Sequence, residues 1–99
     1  MKLDIQSIHF DADHKLLEYI QKKVDKLDTF FDGIVDGIIF LKLEKNEDKE
    51  NKIVELKVNI PNTVLFAREK GLSFEASTDM AVEALKAQLK KYKEKLQAK

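Results

Sequence analysis

The sequence predicts an α+β domain with the element order βαβββα, folded as a two-layer sandwich with a four-stranded mixed sheet and both helices on one face. Two observations predict this fold. Apolar residues recur at every second position in four segments, as in half-buried strands, and at every third or fourth position in two segments, as in amphipathic helices. With 99 residues, the chain has the length of one domain, so we expect a single domain over residues 1–99.

The first two elements are a short strand and a helix. Leu3 and Ile5 alternate with polar residues, which predicts a strand with one buried side. Asp13 has the chemistry of a helix N-cap, because its carboxylate can accept from free amide groups of the first turn. The spacing then predicts a helix from about His14 to Phe30, and its apolar stripe is Leu16, Leu17, Ile20, Val24, Leu27 and Phe31.

Residues 34–70 return to a period of two and predict three further strands. The polar run 46–51 predicts a hairpin loop, and Pro61 with Asn62 predicts a turn before a last strand over 63–70. The core side should carry Ile39, Leu41 and Leu43, then Val54, Leu56, Val58 and Ile60, then Leu65 and Ala67. The open side should carry Ile38, Phe40, Ile53 and Phe66 among charged residues.

The last element is a long helix that Ser73 is expected to cap. Its apolar stripe is Phe74, Thr78, Ala81, Val82, Leu85, Leu89, Tyr92 and Leu96. Thr78 needs a hydrogen-bond partner there, for which the carbonyl one turn earlier is the candidate. Since each helix has one apolar side, both should pack on one sheet face. A helical crossover makes the first two strands parallel and leaves the others antiparallel.

Charge is distributed unevenly along a chain whose formal net charge is zero. Residues 84–99 contain six lysines and one glutamate, a local charge of +5. At 100° per residue, Lys86, Lys90 and Lys93 form one row, and Lys91 and Lys95 form another. Bases near a helix C-terminus complement the helix dipole, and a basic surface also binds nucleic-acid phosphates, so the lysines alone leave both explanations open.

The first helix carries a second basic surface. Lys15, Lys22, Lys23 and Lys26 share one flank, and acidic residues occupy the opposite flank. An ordinary solvated helix explains this pattern by itself. Two basic flanks on the same layer nevertheless favour a nucleic-acid surface, because together they can follow a wider phosphate track than either helix alone.

Several classes of function lack support in the sequence. The absence of cysteine excludes disulfides and thiolate chemistry. His9 and His14 do not have a metal-ligand spacing, and no glycine-rich phosphate loop or nucleophile elbow occurs, so we expect no enzyme, metal or cofactor. No segment contains the roughly 20 apolar residues of a membrane span, and no secretory signal is evident, so a cytoplasmic protein is expected.

An alternative function uses the open face of the sheet. Phe40 and Phe66 could form an apolar patch there, typical of a protein-interaction or adaptor domain or of a weak self-association surface.

The chain resembles the ribosome hibernation promoting factors, also called ribosome-associated inhibitors. The resemblance covers nearly the whole chain and is carried by Ile5, residues 16–20, 26–32 and 41–45, Ala67, Gly71, Asp79, Leu85, Gln88, Leu89 and residues 91–96. It implies a fold like a double-stranded-RNA-binding domain, in a short form without the dimerising domain of longer members. It also implies binding to the small ribosomal subunit, where the chain would block messenger and transfer RNA sites in starved or stationary cells.

The resemblance also implies which residues contact ribosomal RNA. They are basic positions of the two helices and of the end of the second strand: Lys22, Lys23, Lys26, Lys42, Lys45, Lys86, Lys90, Lys91, Lys93 and Lys95.

Overall fold

The computed structural model describes residues 1–45 and 50–97. Its elements are β1 (Lys2–Ile8), α1 (His14–Phe30), β2 (Asp36–Leu43), β3 (Lys52–Ile60), β4 (Thr63–Gly71) and α2 (Phe74–Gln97). The predicted order βαβββα is confirmed.

The four strands form one sheet in the order β1-β2-β3-β4. As predicted, β1 and β2 are parallel, and the other two pairs are antiparallel. The amide of Glu44 donates to the carbonyl of Asn51 at 2.9 Å beyond the last β2–β3 pair. Residues 46–49 of the predicted hairpin loop lie outside the described residues. The β3–β4 turn contains Pro61 and Asn62, and Asn62 has the positive φ of 69° that this residue type tolerates in turns.

Both helices begin at the predicted caps. The Asp13 carboxylate accepts from the amide of Leu16 at 2.8 Å, and the Ser73 hydroxyl accepts from the amide of Ala76 at 3.0 Å. Each contact satisfies an amide that has no partner within its helix. The caps therefore fix where α1 and α2 start.

One core holds the two layers together. Buried residues of α1, of α2 and of β2, β3 and β4 form a single cluster, so both helices cover the same sheet face. The helix C-termini lie at the same end of the molecule. There the Lys93 ammonium donates to the Phe30 carbonyl at 3.1 Å, and the Tyr92 hydroxyl donates to the Pro61 carbonyl at 3.3 Å.

Three predicted positions differ from the structure. Leu43 and Leu96 were expected in the core, but they are 50% and 53% exposed. Leu43 is the last residue of β2, and Leu96 lies near the end of a 24-residue helix that extends beyond the 17-residue α1. Ile53, expected on the open face, is only 4% exposed. It pairs with Lys42 and Lys70, and lysine stems commonly cover an apolar neighbour.

The start of α2 packs closely on the end of the sheet, and two adjacent buried hydroxyls there differ in their partners. The Ser77 hydroxyl donates to the Lys52 carbonyl at 2.7 Å, and a Cβ on Gly71 would lie 2.9 Å from that hydroxyl. The Thr78 hydroxyl has no hydrogen-bond partner among the described residues, so the predicted bond to a carbonyl one turn earlier is wrong.

We expect Thr78→Val to raise the free energy of unfolding by about 1 kcal/mol, because valine keeps the shape and removes an unpaired buried hydroxyl. The matched variant Ser77→Ala should lower it by about 1–3 kcal/mol, because the Lys52 carbonyl loses its donor. Denaturant unfolding of both variants measures these changes. A Thr78→Val variant that is less stable than the parent would contradict the prediction.

Candidate nucleic-acid interface

The basic flank of α1 faces α2, and near the middle of α1 a carboxylate joins the helices. The Tyr19 hydroxyl donates to the Asp79 carboxylate, with its oxygen 2.8 and 3.0 Å from the two carboxylate oxygens. The Lys23 ammonium is 3.5 Å from the same carboxylate and 5.6 Å from the centroid of the Tyr19 ring. This cluster connects the helices and partly neutralises Lys23.

The acidic flank of α1 faces away from α2, towards the first residue of the chain. The amino group of Met1 donates to Asp28 and, at 3.3 Å, to Asp25. The bond to Asp28 raises the pKa of this amino group above its ordinary value of 8.0, burial opposes the increase, and Asp25 adds to it. The two aspartates are thereby paired on the side opposite the lysines.

Between the C-terminal halves of the helices lies an open groove, which we call the inter-helix groove. It has two parts, of about 550 and 470 Å³, and both are lined by Phe30, Glu83 and Lys86. The first part also includes Lys90, Lys93 and Glu94, and the second part also includes Lys26. Four ammonium groups and one aromatic ring therefore share a continuous surface.

Comparison with known proteins identifies the family of the chain. Residues 3–97 match the family described as "Sigma 54 modulation protein / S30EA ribosomal protein". The chain belongs to this family. The resemblance to the ribosome hibernation promoting factors is thereby confirmed.

Individual proteins that are similar to this chain support this assignment. A ribosome hibernation promoting factor of Pseudomonas putida is 30% identical over 98 residues, which cover 99% of this chain and 92% of the relative. A ribosome hibernation promotion factor of Deinococcus radiodurans is 32% identical over 78 residues, which cover 77% of this chain and 40% of that longer relative. The structure of a ribosomal subunit interface protein from Coxiella burnetii has a TM-score of 0.82 and 25% identity, covering 94% of this chain and 98% of the other.

The structure divides the ten lysines predicted from the resemblance to ribosome hibernation promoting factors into separate groups. Lys26, Lys86, Lys90 and Lys93 line the inter-helix groove. Lys22 and Lys23 lie one turn nearer the N-terminus of α1 than Lys26, and Lys23 contacts Asp79. On α2, Lys91 and Lys95 are exposed on the flank turned away from the groove, as their angular positions predict.

Lys42 and Lys45 form a distant group at the end of β2, far from the inter-helix groove. They line an opening of about 520 Å³ with Ile8, His9 and Leu43. The Lys42 ammonium is 3.0 Å from a Glu55 oxygen, so its charge is already paired. The structure therefore does not bring these two lysines together with the other eight.

Sequence reasoning missed the part that Phe30 plays in the groove. Its ring centroid lies 4.8 Å from the Lys93 ammonium and 5.7 Å from the Lys86 ammonium. A signal was present in the sequence, because Phe30 follows Lys26 by four residues and so lies on the same flank of α1. Phe30 was considered only as the predicted end of the helix, and only the charged residues of this flank were compared.

The open sheet face is apolar in part and is crossed by charges. Phe66 is 50% exposed, and Val64 is exposed beside it on the same strand. Glu55 pairs with Lys42 at 3.0 Å and with Arg68 at 3.2 Å across this face. The aromatic patch proposed for an adaptor therefore lies beside a row of ion pairs.

Metal-binding clusters and membrane-spanning helices are both absent from residues 1–45 and 50–97. In this part of the chain, no group of three or more histidine, cysteine or acidic residues is arranged to hold a metal ion. Neither of its helices combines the length and the apolar composition that crossing a membrane requires.

The Tyr19–Asp79 contact predicts a loss of stability at high pH. The hydrogen bond to Asp79, together with burial and nearby carboxylate charge, raises the pKa of Tyr19 above its ordinary value of 10.0. The folded state then holds this proton more tightly than the unfolded state, so the stabilisation is complete below pH 10.0 and is lost as pH rises through the raised pKa. Between about pH 9 and about pH 11, stability should fall more steeply for the parent than for Tyr19→Phe in denaturant unfolding. Equal slopes would contradict this prediction.

Proposed function

We propose that the chain is a translation inhibitor that binds ribosomal RNA of the small ribosomal subunit through the inter-helix groove. By occupying the sites of messenger and transfer RNA, it would hold ribosomes inactive in the cytoplasm of starved or stationary cells. No catalysis is needed, because occupancy alone blocks these sites. The proposal treats residues 1–99 as one ribosome-binding domain, and the likeness to a double-stranded-RNA-binding domain remains a prediction.

The single observation that carries the proposal is the convergence of Lys26 with Lys86, Lys90 and Lys93 on one groove. The chain has no net charge, so long-range attraction to RNA is weak. Contacts with phosphates are governed by local charge, because salt screens interactions beyond about 8 Å at physiological ionic strength. The groove presents four cations and two acids, Glu83 and Glu94, so its local charge is positive. The names of the relatives, which are ribosome hibernation factors, support the same partner.

The remaining predicted lysines have supporting roles in this proposal. Lys22, Lys91 and Lys95 are exposed on the helix layer and can contact phosphates beside the groove. Lys23 contributes less, because it already faces Asp79. Lys42 and Lys45 form a second contact at the other end of the domain, where a separate RNA segment would have to reach them.

A second candidate is an adaptor domain that binds a protein, or a second copy of itself weakly, through the open sheet face. The half-exposed ring of Phe66 favours it. An apolar contact of this kind persists at high salt, unlike binding to phosphates.

Sedimentation of the chain with purified small ribosomal subunits over a series of salt concentrations tests the proposal. Four lysine–phosphate contacts predict a slope of about −3 for log K against log salt, or a roughly 60-fold loss of affinity from about 50 to about 200 mM salt. Ribosome profiles at low and high salt show in addition whether subunits associate or form dimers.

Binding that does not change with salt would contradict the ribosomal RNA proposal. If binding is also lost in Phe66→Ala, the result favours the adaptor function.

A further inference from the structure

Phe30 lies at the centre of the inter-helix groove and is the one aromatic residue among the described residues that line it. It is the last residue of α1, and its ring is half-buried. Two ammonium groups are near the ring, that of Lys93 at 4.8 Å and that of Lys86 at 5.7 Å from its centroid. An aromatic ring surrounded by cations is the combination with which proteins bind single-stranded nucleic acid.

We propose that the Phe30 ring is a stacking platform for one unpaired base of RNA, with groove lysines on the phosphates beside that base. This inference rests on the proposed function and specifies it further. Lysine contacts alone would fit any RNA backbone, but a stacking platform requires a nucleotide whose base is outside a helix. The groove then selects a loop, bulge or single strand over a continuous duplex.

The contacts of the two nearby lysines suggest how the base enters. The Phe30 carbonyl fixes the Lys93 ammonium at 3.1 Å, so Lys93 stays beside the ring. Lys86 can turn from the ring to the phosphate of the entering nucleotide. Replacing the Lys86–ring contact by a stacked base lowers the free energy, because base–aromatic stacking is stronger than a solvent-exposed cation–π contact.

The size and charge of the groove suit a nucleotide. Its two parts, of about 550 and 470 Å³, are in the range of about 300–1,000 Å³ that small-molecule sites occupy. Two acids line the groove: Glu83 lines both parts, and Glu94 lines the first part. Both repel phosphate, and Glu83 can accept from base amino groups. Phosphates should therefore lie between these acids, towards Lys86 and Lys90, with the base between Phe30 and Glu83.

The first test uses the absence of tryptophan from the chain. Phe30→Trp introduces a single tryptophan at the proposed platform, and Phe66→Trp introduces one on the open sheet face as a control. We expect a single-stranded RNA of about 12 nucleotides to quench the fluorescence of Phe30→Trp at low salt, because a stacked base contacts the indole ring. The duplex of the same sequence should quench it much less, and neither RNA should quench Phe66→Trp. Equal quenching by strand and duplex, or no quenching of Phe30→Trp, would overturn the proposal.

The second test measures affinity for small ribosomal subunits. Phe30→Leu keeps an apolar side chain and the net charge, so it should weaken binding by about five- to a hundredfold while leaving the salt slope unchanged. Phe30→Trp should bind like the parent, which separates stacking from a general effect on folding. Unfolding midpoints of both variants identify any loss of stability.

The two proposals fail in different ways. If Phe30→Leu binds within twofold of the parent while substitution of the groove lysines abolishes binding, the stacking platform is wrong and the ribosomal RNA surface stands. If the lysine substitutions have no effect on binding, the groove is not the RNA-binding surface, and both proposals are wrong.

Discussion

Replacing Lys86, Lys90 and Lys93 together by glutamate is expected to abolish sedimentation of the chain with small ribosomal subunits. These three lysines line one part of the inter-helix groove. Each replacement removes a phosphate contact and places a negative charge against the RNA, and like charges in contact cost several kcal/mol. The combined loss should exceed about a hundredfold in affinity. Any residual binding should have a salt slope smaller by about 2, because three of the four contacts are lost.

A second triple variant controls for net charge. Lys2, Lys57 and Arg68 are exposed residues of the sheet and lie outside both helices and the predicted site, so changing them to glutamate alters the net charge equally. This control variant should retain most of its affinity for small subunits, because salt screens the effect of a charge beyond about 8 Å. Normal sedimentation of the groove variant at moderate salt would show that the surface is wrong. Equal losses in both variants would show that only total charge matters.

Leu89→Ala should destabilise the fold more than any of the other proposed substitutions, with a loss of about 2–5 kcal/mol in the free energy of unfolding. Leu89 is fully buried in the core formed by both helices and the sheet. Its truncation removes apolar contacts and leaves a cavity. For a domain of this size, whose total stability is about 5–15 kcal/mol, such a loss is large.

Leu96→Ala is the matched control, because it changes the same residue type two helical turns later in α2. Leu96 is 53% exposed, so its truncation should change the free energy of unfolding by at most about 0.5 kcal/mol. Denaturant unfolding measures both variants. Equal effects would mean that α2 is packed over its whole length, contrary to the structure.

The sequence and the structure agree best on features that neighbouring residues determine. The start of α1 follows from Asp13 and that of α2 from Ser73, because each cap needs only its own side chain and amides three residues later. The strands follow from alternation between apolar and polar residues. Prediction was poorer at the ends of elements, where Leu43 and Leu96 continue an apolar pattern beyond the core. A periodic pattern indicates which side of an element is apolar, and it does not indicate how far the partner layer extends.

For the candidate site, too, the sequence predicted the local arrangement of residues and missed the contacts between distant ones. Angular positions along a helix separated Lys86, Lys90 and Lys93 from Lys91 and Lys95, and the structure has the same separation. The pattern could not show that Lys42 is paired with Glu55 and lies far from the groove, because these contacts join residues that are distant in sequence.

The sequence by itself determined the order of elements, their caps, the two basic rows of α2 and the family of the chain. Only the tertiary structure decided which helix flanks meet. It placed the basic flank of α1 against α2, directed Asp25 and Asp28 towards Met1, and made Phe30, which lies outside the predicted apolar stripe of α1, part of a lysine groove. The physical reason is that periodicity arises from residues within one or two turns, whereas a groove between two helices depends on how both pack on the same sheet.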